Sequence, residues 1–101
     1  MKNVVFITLL LSSFLYAQDS AGKKVFETYC WGCHHQTAVA FGPPFNEIAA
    51  KRTKQEIIAY IIEPKAMYKA FGYKRSVMTE IEMSDQERDL VADYILSYKE
   101  K

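Results

Sequence analysis

The chain has 101 residues, 50% of them hydrophobic, with 13 Lys+Arg against 12 Asp+Glu. That length suits one domain and excludes a multidomain enzyme, a TIM barrel and a full doubly wound dinucleotide fold. Nearly balanced charge offers no strongly basic face, so nucleic acid is not an expected partner.

Met1-Lys2 gives a short positive start. Val4–Leu15 is almost unbroken apolar and precedes Ala17 and the polar Gln18-Asp19-Ser20. This is the layout of a secretory signal peptide. The expected organisation is a signal peptide over 1–17, cut after Ala17, and one domain over 18–101, exported to the periplasm. The apolar run is shorter than the roughly 20 residues that span a bilayer. No stable membrane insertion is therefore expected after cleavage; a retained anchor is the competing reading. So small a domain needs a staple beyond its apolar core. The only cysteines are Cys30 and Cys33, and a bridge between them would close a tiny loop and stabilise little.

Three helical patterns follow. Gly22, Val25, Phe26, Tyr29, Cys30 and Cys33 recur on one face of an amphipathic helix, with Ser20 as its cap. Thr53-Lys54-Gln55-Glu56 reads as a capping box opening a second helix, whose apolar side is Ile57, Ile58, Ile61 and Ile62 and which Pro64 stops. Ser84-Asp85-Gln86-Glu87 opens a third in the same way. Its stripe is Leu90, Val91, Tyr94, Ile95 and Tyr98, with Lys99 and Lys101 at its end. Phe41-Gly42-Pro43-Pro44-Phe45 reads as loop. Residues 65–83 show no clear period, with room for a short helix near Pro64–Ala70. No alternating strand pattern occurs, so the class is all-α.

Cys30-Trp31-Gly32-Cys33-His34 is a C-x-x-C-H run, the attachment signature of c-type haem. Two thiols three residues apart can each add to a different vinyl group of one porphyrin, and the next side chain, His34, then reaches the iron. A thioredoxin-like redox pair would need alternating strands and helices. A zinc site would need four ligands, and adjacent His34 and His35 cannot readily close a tetrahedron with both cysteines.

The stretch from Gly22 through Phe26 to Cys30-Trp31-Gly32-Cys33-His34 resembles the opening of the class I monohaem cytochromes c. Gly42-Pro43-Pro44-Phe45 resembles that family's Gly-Pro loop, and Leu90-Val91-Ala92-Asp93-Tyr94-Ile95 its closing helix. The resemblance implies three to four helices packed around one covalently bound haem c. It implies thioether bonds at Cys30 and Cys33, and His34 as the proximal iron ligand with its Nδ1 bonded to the Pro43 carbonyl. Gly42 and Phe45 would complete the haem pocket, and the first and last helices would cross at Gly22, Phe26 and Tyr94.

For the sixth ligand, family members with His/Met ligation place the Met shortly before the last helix, which points to Met78. Thr79 stands where the family usually has Pro. Met83 and Met67, or an open position, stay as alternatives, and bis-histidine ligation through His35 is not expected. Two protein ligands would leave iron able only to change oxidation state, which makes the expected role a monomeric electron carrier and not an enzyme. Its partners would be redox proteins, such as a quinol-oxidising complex and a terminal oxidase or peroxidase. A sensor, enzyme or oxidoreductase subunit with an exchangeable sixth position is the alternative. Residues 51–75 carry seven basic side chains against Glu56 and Glu63, and residues 76–101 carry seven acids against three bases. The basic 65–75 stretch is thus one expected dock for an acidic partner.

Overall fold

The computed structural model describes residues 20–101; the expected signal segment over 1–17 lies outside the described residues. Among the described residues the chain forms helices and no strand. They are α1 over residues 20–29, α2 over Phe45–Lys51, α3 over Lys54–Ile62, α4 over Pro64–Met67 and α5 over Asp85–Leu96. The all-α class stands, with five helices in place of three to four.

In α1, Ser20 is already helical and so does not cap it. Regular helix ends at residue 29. The Trp31 amide reaches back to the Phe26 carbonyl at 3.0 Å and the His34 amide to the Cys30 carbonyl at 3.0 Å, which turns the chain away. The apolar face therefore stops short of Cys33. Cys30 is buried and Cys33 exposed.

Helix α2 is the element that the sequence patterns did not announce. Its N-cap is Pro44, in extended conformation and with no side chain to bond the first turn. Pro43 and Pro44 keep helix from starting earlier. Phe45, Ile48 and Ala49, spaced i, i+3 and i+4, turn inward, and Phe45 and Ala49 are buried. A helix of seven residues is held by such packing and not by its own propensity.

Both capping boxes form. Thr53 Oγ1 accepts from the Glu56 amide and Glu56 Oε1 from the Thr53 amide; Ser84 and Glu87 repeat the arrangement. Helix α3 buries Ile57 and Ile61 but leaves Ile62 exposed, and Pro64 then opens α4 at its first position. Helix α5 buries Val91, Ala92, Tyr94 and Ile95. It ends at Leu96, so Lys99 and Lys101 lie past its last turn.

Helices α2 and α3 both pack on α5, and α1 crosses α5 at Gly22. A Cβ there would lie 2.7 Å from the Leu90 carbonyl oxygen and 2.8 Å from Tyr94 Cβ, so only glycine lets the backbones approach. Phe26, Phe45 and Tyr94 form the aromatic centre, with ring centroids 5.0 Å, 5.8 Å and 6.2 Å apart. Burial of each such ring contributes about 1.5–3 kcal/mol. Lys54 bridges α3 to α5 through Asp89 at 2.7 Å and Asp93 at 3.0 Å. These pairs are solvated and contribute at most about 1 kcal/mol each. The aromatic centre and the two buried isoleucines of α3 leave a hollow between them.

Candidate functional site

That hollow is a cavity of about 440 Å³, within the roughly 300–1,000 Å³ range of ligand and cofactor sites. Cys30, Cys33, His34, Gly42, Pro43, Phe45 and Met78, far apart in sequence, all line it.

His34 is fixed on three sides. Its Nδ1 donates to the Pro43 carbonyl at 2.9 Å, which leaves Nε2 with a free lone pair. Its ring stacks on Phe45 at 5.8 Å between centroids, 29° from parallel. Gly42 lies against its edge: a Cβ there would fall 2.3 Å from His34 Cε1 and 2.7 Å from Nδ1. The loop is pinned as well, with the Gly42 amide donating to the Cys33 carbonyl at 2.7 Å and the Phe45 amide to the His35 carbonyl at 3.1 Å. His35 is turned to local work: its Nδ1 accepts the Thr37 and Ala38 amides at 3.1 Å and 3.0 Å.

This environment disfavours the two rival readings of the cysteines. Burial, and then neighbouring Cys33, push the Cys30 thiol up to about 11, whereas a redox dithiol depends on a lowered thiol pKa. Among the described residues no three His, Cys, Asp or Glu side chains gather where they could hold a metal ion by themselves.

Met78 is half-buried and lines the cavity. Met83 packs against the core outside it, its carbonyl taken by Arg88 Nη1 at 2.6 Å. Met67 is in α4, also outside the lining. Glu80 and Glu82, beside Met78, are exposed.

Sequence patterns did not single out Arg52, Tyr60, Tyr73, Lys74 and Arg75 as cavity residues. Arg52 Nη2 donates to the Phe71 carbonyl at 2.7 Å, and its guanidinium lies 4.1 Å from the Phe71 ring centre. Its Nε is buried with no hydrogen-bond partner, a costly state for a donor on a cation. Tyr60 packs on Phe71 and Tyr73, with centroids 5.1 Å and 5.8 Å away. Burial, then Tyr73, raise its hydroxyl pKa above the ordinary 10.0. Among the described residues three cationic side chains line the cavity and no carboxylate does. No local signal could have placed Arg52 here, because its role arises where α2 meets the 68–73 turn.

These features fit a haem. Two thiols and an imidazole with one free nitrogen line an apolar hollow with Ile57, Ile61 and Ile95, while cationic Arg52, Lys74 and Arg75 line it where propionates could be met. A family model for cytochrome c matches residues 20–99. The chain belongs to the cytochrome c family. The solved cytochrome c from Rhodothermus marinus has the same fold, with a TM-score of 0.70 over 84% of this chain and 79% of that one, at 22% identity. A search of curated proteins found no match. As a class I monohaem cytochrome c, the protein is a haem electron carrier whose cofactor is covalently attached haem c. Its single C-x-x-C-H motif provides for one haem per chain. Among the described residues no helix is long and apolar enough to cross a membrane.

Proposed function

We propose that this cytochrome c is a periplasmic, monomeric carrier passing single electrons between two respiratory-chain proteins, a quinol-oxidising donor and a terminal oxidase or peroxidase. In this reading Cys30 and Cys33 hold the thioether bonds, and His34 Nε2 and the Met78 sulfur are the iron's protein ligands. The observation that carries it is that Met78, alone among Met67, Met78 and Met83, lines the cavity into which tethered His34 faces.

When bound, the haem supplies a one-electron iron couple. The chain's own residues then set its conditions. The Pro43 carbonyl accepts from His34 Nδ1, which orients the ring and leaves Nε2 as the atom that would hold the iron. A neutral thioether raises the reduction potential relative to harder ligands. Phe45, Ile57, Ile61 and Ile95 exclude water. Arg52, Lys74 and Arg75 line the cavity as counter-charge for the propionates. With His34 and Met78 both holding the iron no position would be left for a substrate, and the work would reduce to brief docking. Spectroelectrochemical titration of the purified holoprotein tests this. One reversible one-electron couple and the far-red band of iron–thioether ligation are expected. A five-coordinate spectrum would overturn the carrier reading.

One observation supports the second reading, a sensor, enzyme or oxidoreductase subunit with an exchangeable sixth position. Among the described residues no backbone–backbone hydrogen bond involves residues 74–82, the segment that carries Met78.

A further inference from the structure

The rings of His34, Phe45, Tyr94 and Tyr98 form a chain from the site to the surface. His34 stacks on Phe45 at 5.8 Å between centroids. Phe45 lies 6.2 Å from Tyr94 and 6.4 Å from Tyr98, and the two tyrosine rings are 5.3 Å apart at 77°. Their hydroxyls meet at 3.0 Å. Tyr94 is buried and Tyr98 half-buried, and the Lys101 ammonium lies 4.9 Å from the Tyr98 ring centre. Packing explains the rings but not the hydroxyls, since phenylalanine at both positions would fill the same space and bury no polar atom. What a hydroxyl adds is redox chemistry, because a phenol gives up an electron far more easily than a phenyl ring. Burial, and then the Tyr94 hydroxyl, hold the Tyr98 pKa above the ordinary 10.0. Tyr98 is therefore protonated at neutral pH and must shed a proton with any electron it loses.

We propose that Tyr98, hydrogen-bonded to Tyr94, is a redox-active site that reduces small one-electron oxidising radicals and is repaired through Phe45 and His34 by an electron from the reduced haem iron. The proposal rests on His34 as the iron ligand in the reading above. Tyr98 gives one electron to the radical and its phenolic proton to water. The oxidised oxygen keeps the Tyr94 hydroxyl as a hydrogen-bond donor. Tyr98 then regains an electron by way of Phe45 and His34 and a proton from water. In sum the radical is reduced and the iron oxidised, each by one electron, and the polypeptide is unchanged. Lys101 favours the return step, because a cation over the ring is attracted to an electron-rich face and disfavours an electron-poor one. Tyr68 supplies the contrast: it is half-buried like Tyr98, but lies outside the cavity lining and outside this chain of rings.

The test exposes holoprotein, fully reduced or fully oxidised, to radiolytic azide radicals with a nitroso spin trap present. Peptide mass spectrometry then locates the tyrosyl adducts. In the oxidised protein the trap should label both Tyr98 and Tyr68. In the reduced protein labelling at Tyr98 should fall about tenfold, as repair outruns trapping, while labelling at Tyr68 holds. Phe45→Leu removes the connecting ring and should restore labelling at Tyr98 in the reduced protein; should that variant not mature, the wild-type comparison decides on its own. Equal labelling of Tyr98 in the two states overturns the proposal, as does none in either. So does equal protection of Tyr68, since the radical would then be consumed at the iron directly, and so does a reduced Phe45→Leu protein whose Tyr98 stays protected. Absence of a reversible couple even with small diffusing mediators would instead sink the carrier reading itself.

Discussion

The two segments that bring His34 and Met78 to one cavity are built in opposite ways. Around His34 the polypeptide does the positioning: Pro43 holds Nδ1, Gly42 and Phe45 flank the ring, and backbone bonds from Gly42 and Phe45 close the loop. Among the described residues the segment around Met78 is hydrogen-bonded by side chains at its borders, where Arg52 holds the Phe71 carbonyl and Arg88 holds the Met83 carbonyl. One side of the site is formed by the fold, and the other would depend on the iron bond proposed for Met78. Local opening should therefore begin on the methionine side.

The largest effect should come from Gly42→Ala. The new methyl would enter the His34 ring, and such overpacking costs about 1–3 kcal/mol. Loss of the imidazole's position should add to this, so that little holoprotein accumulates and what forms melts far below wild type. Met78→Ala should behave differently. Haem stays attached, stability falls by about 2 kcal/mol, and the thioether band disappears. If the two variants were alike in holoprotein yield, the contrast between the two sides would be wrong.

Arg52→Gln sharpens the same contrast. It removes the charge-assisted bond to the Phe71 carbonyl, at a cost of about 1–3 kcal/mol. Amide exchange over 68–82 should quicken while that over 33–46 holds, which hydrogen–deuterium exchange reads directly. The smallest effect should lie in the α5 cap. The Ser84 backbone amide, above all, holds the Glu87 carboxyl below its ordinary 4.5, although burial opposes it. The folded pKa is depressed, so this contribution is present above pH 4.5 and is lost as pH falls through the folded value. Ser84→Ala removes the reciprocal side-chain bond. It should cost about 1 kcal/mol at neutral pH and alter the acid limb of the melting profile.

The same division explains what could be read before the structure. Helices α3 and α5 begin where their capping boxes said, because a cap is a contact among four neighbouring residues. The C-x-x-C-H spacing is equally local. Helix α2 carries no such local signal, because it starts on Pro44 with no side-chain cap and is only seven residues long. The first apolar stripe runs on in the sequence to Cys33, but the chain leaves the helix after residue 29 to aim His34. Arg52 and Tyr60 meet the cavity only through tertiary packing, which no short window of sequence contains. Gly42 was expected in the pocket, yet the demand of the His34 ring for a position without Cβ appears only in three dimensions.

The reaction of the reduced iron with carbon monoxide tests most directly whether protein side chains close both axial positions. Wild-type holoprotein should resist the gas, and Met78→Ala should bind it readily with its haem still covalently attached. Immediate binding by wild type, or equal resistance in the variant, would contradict it.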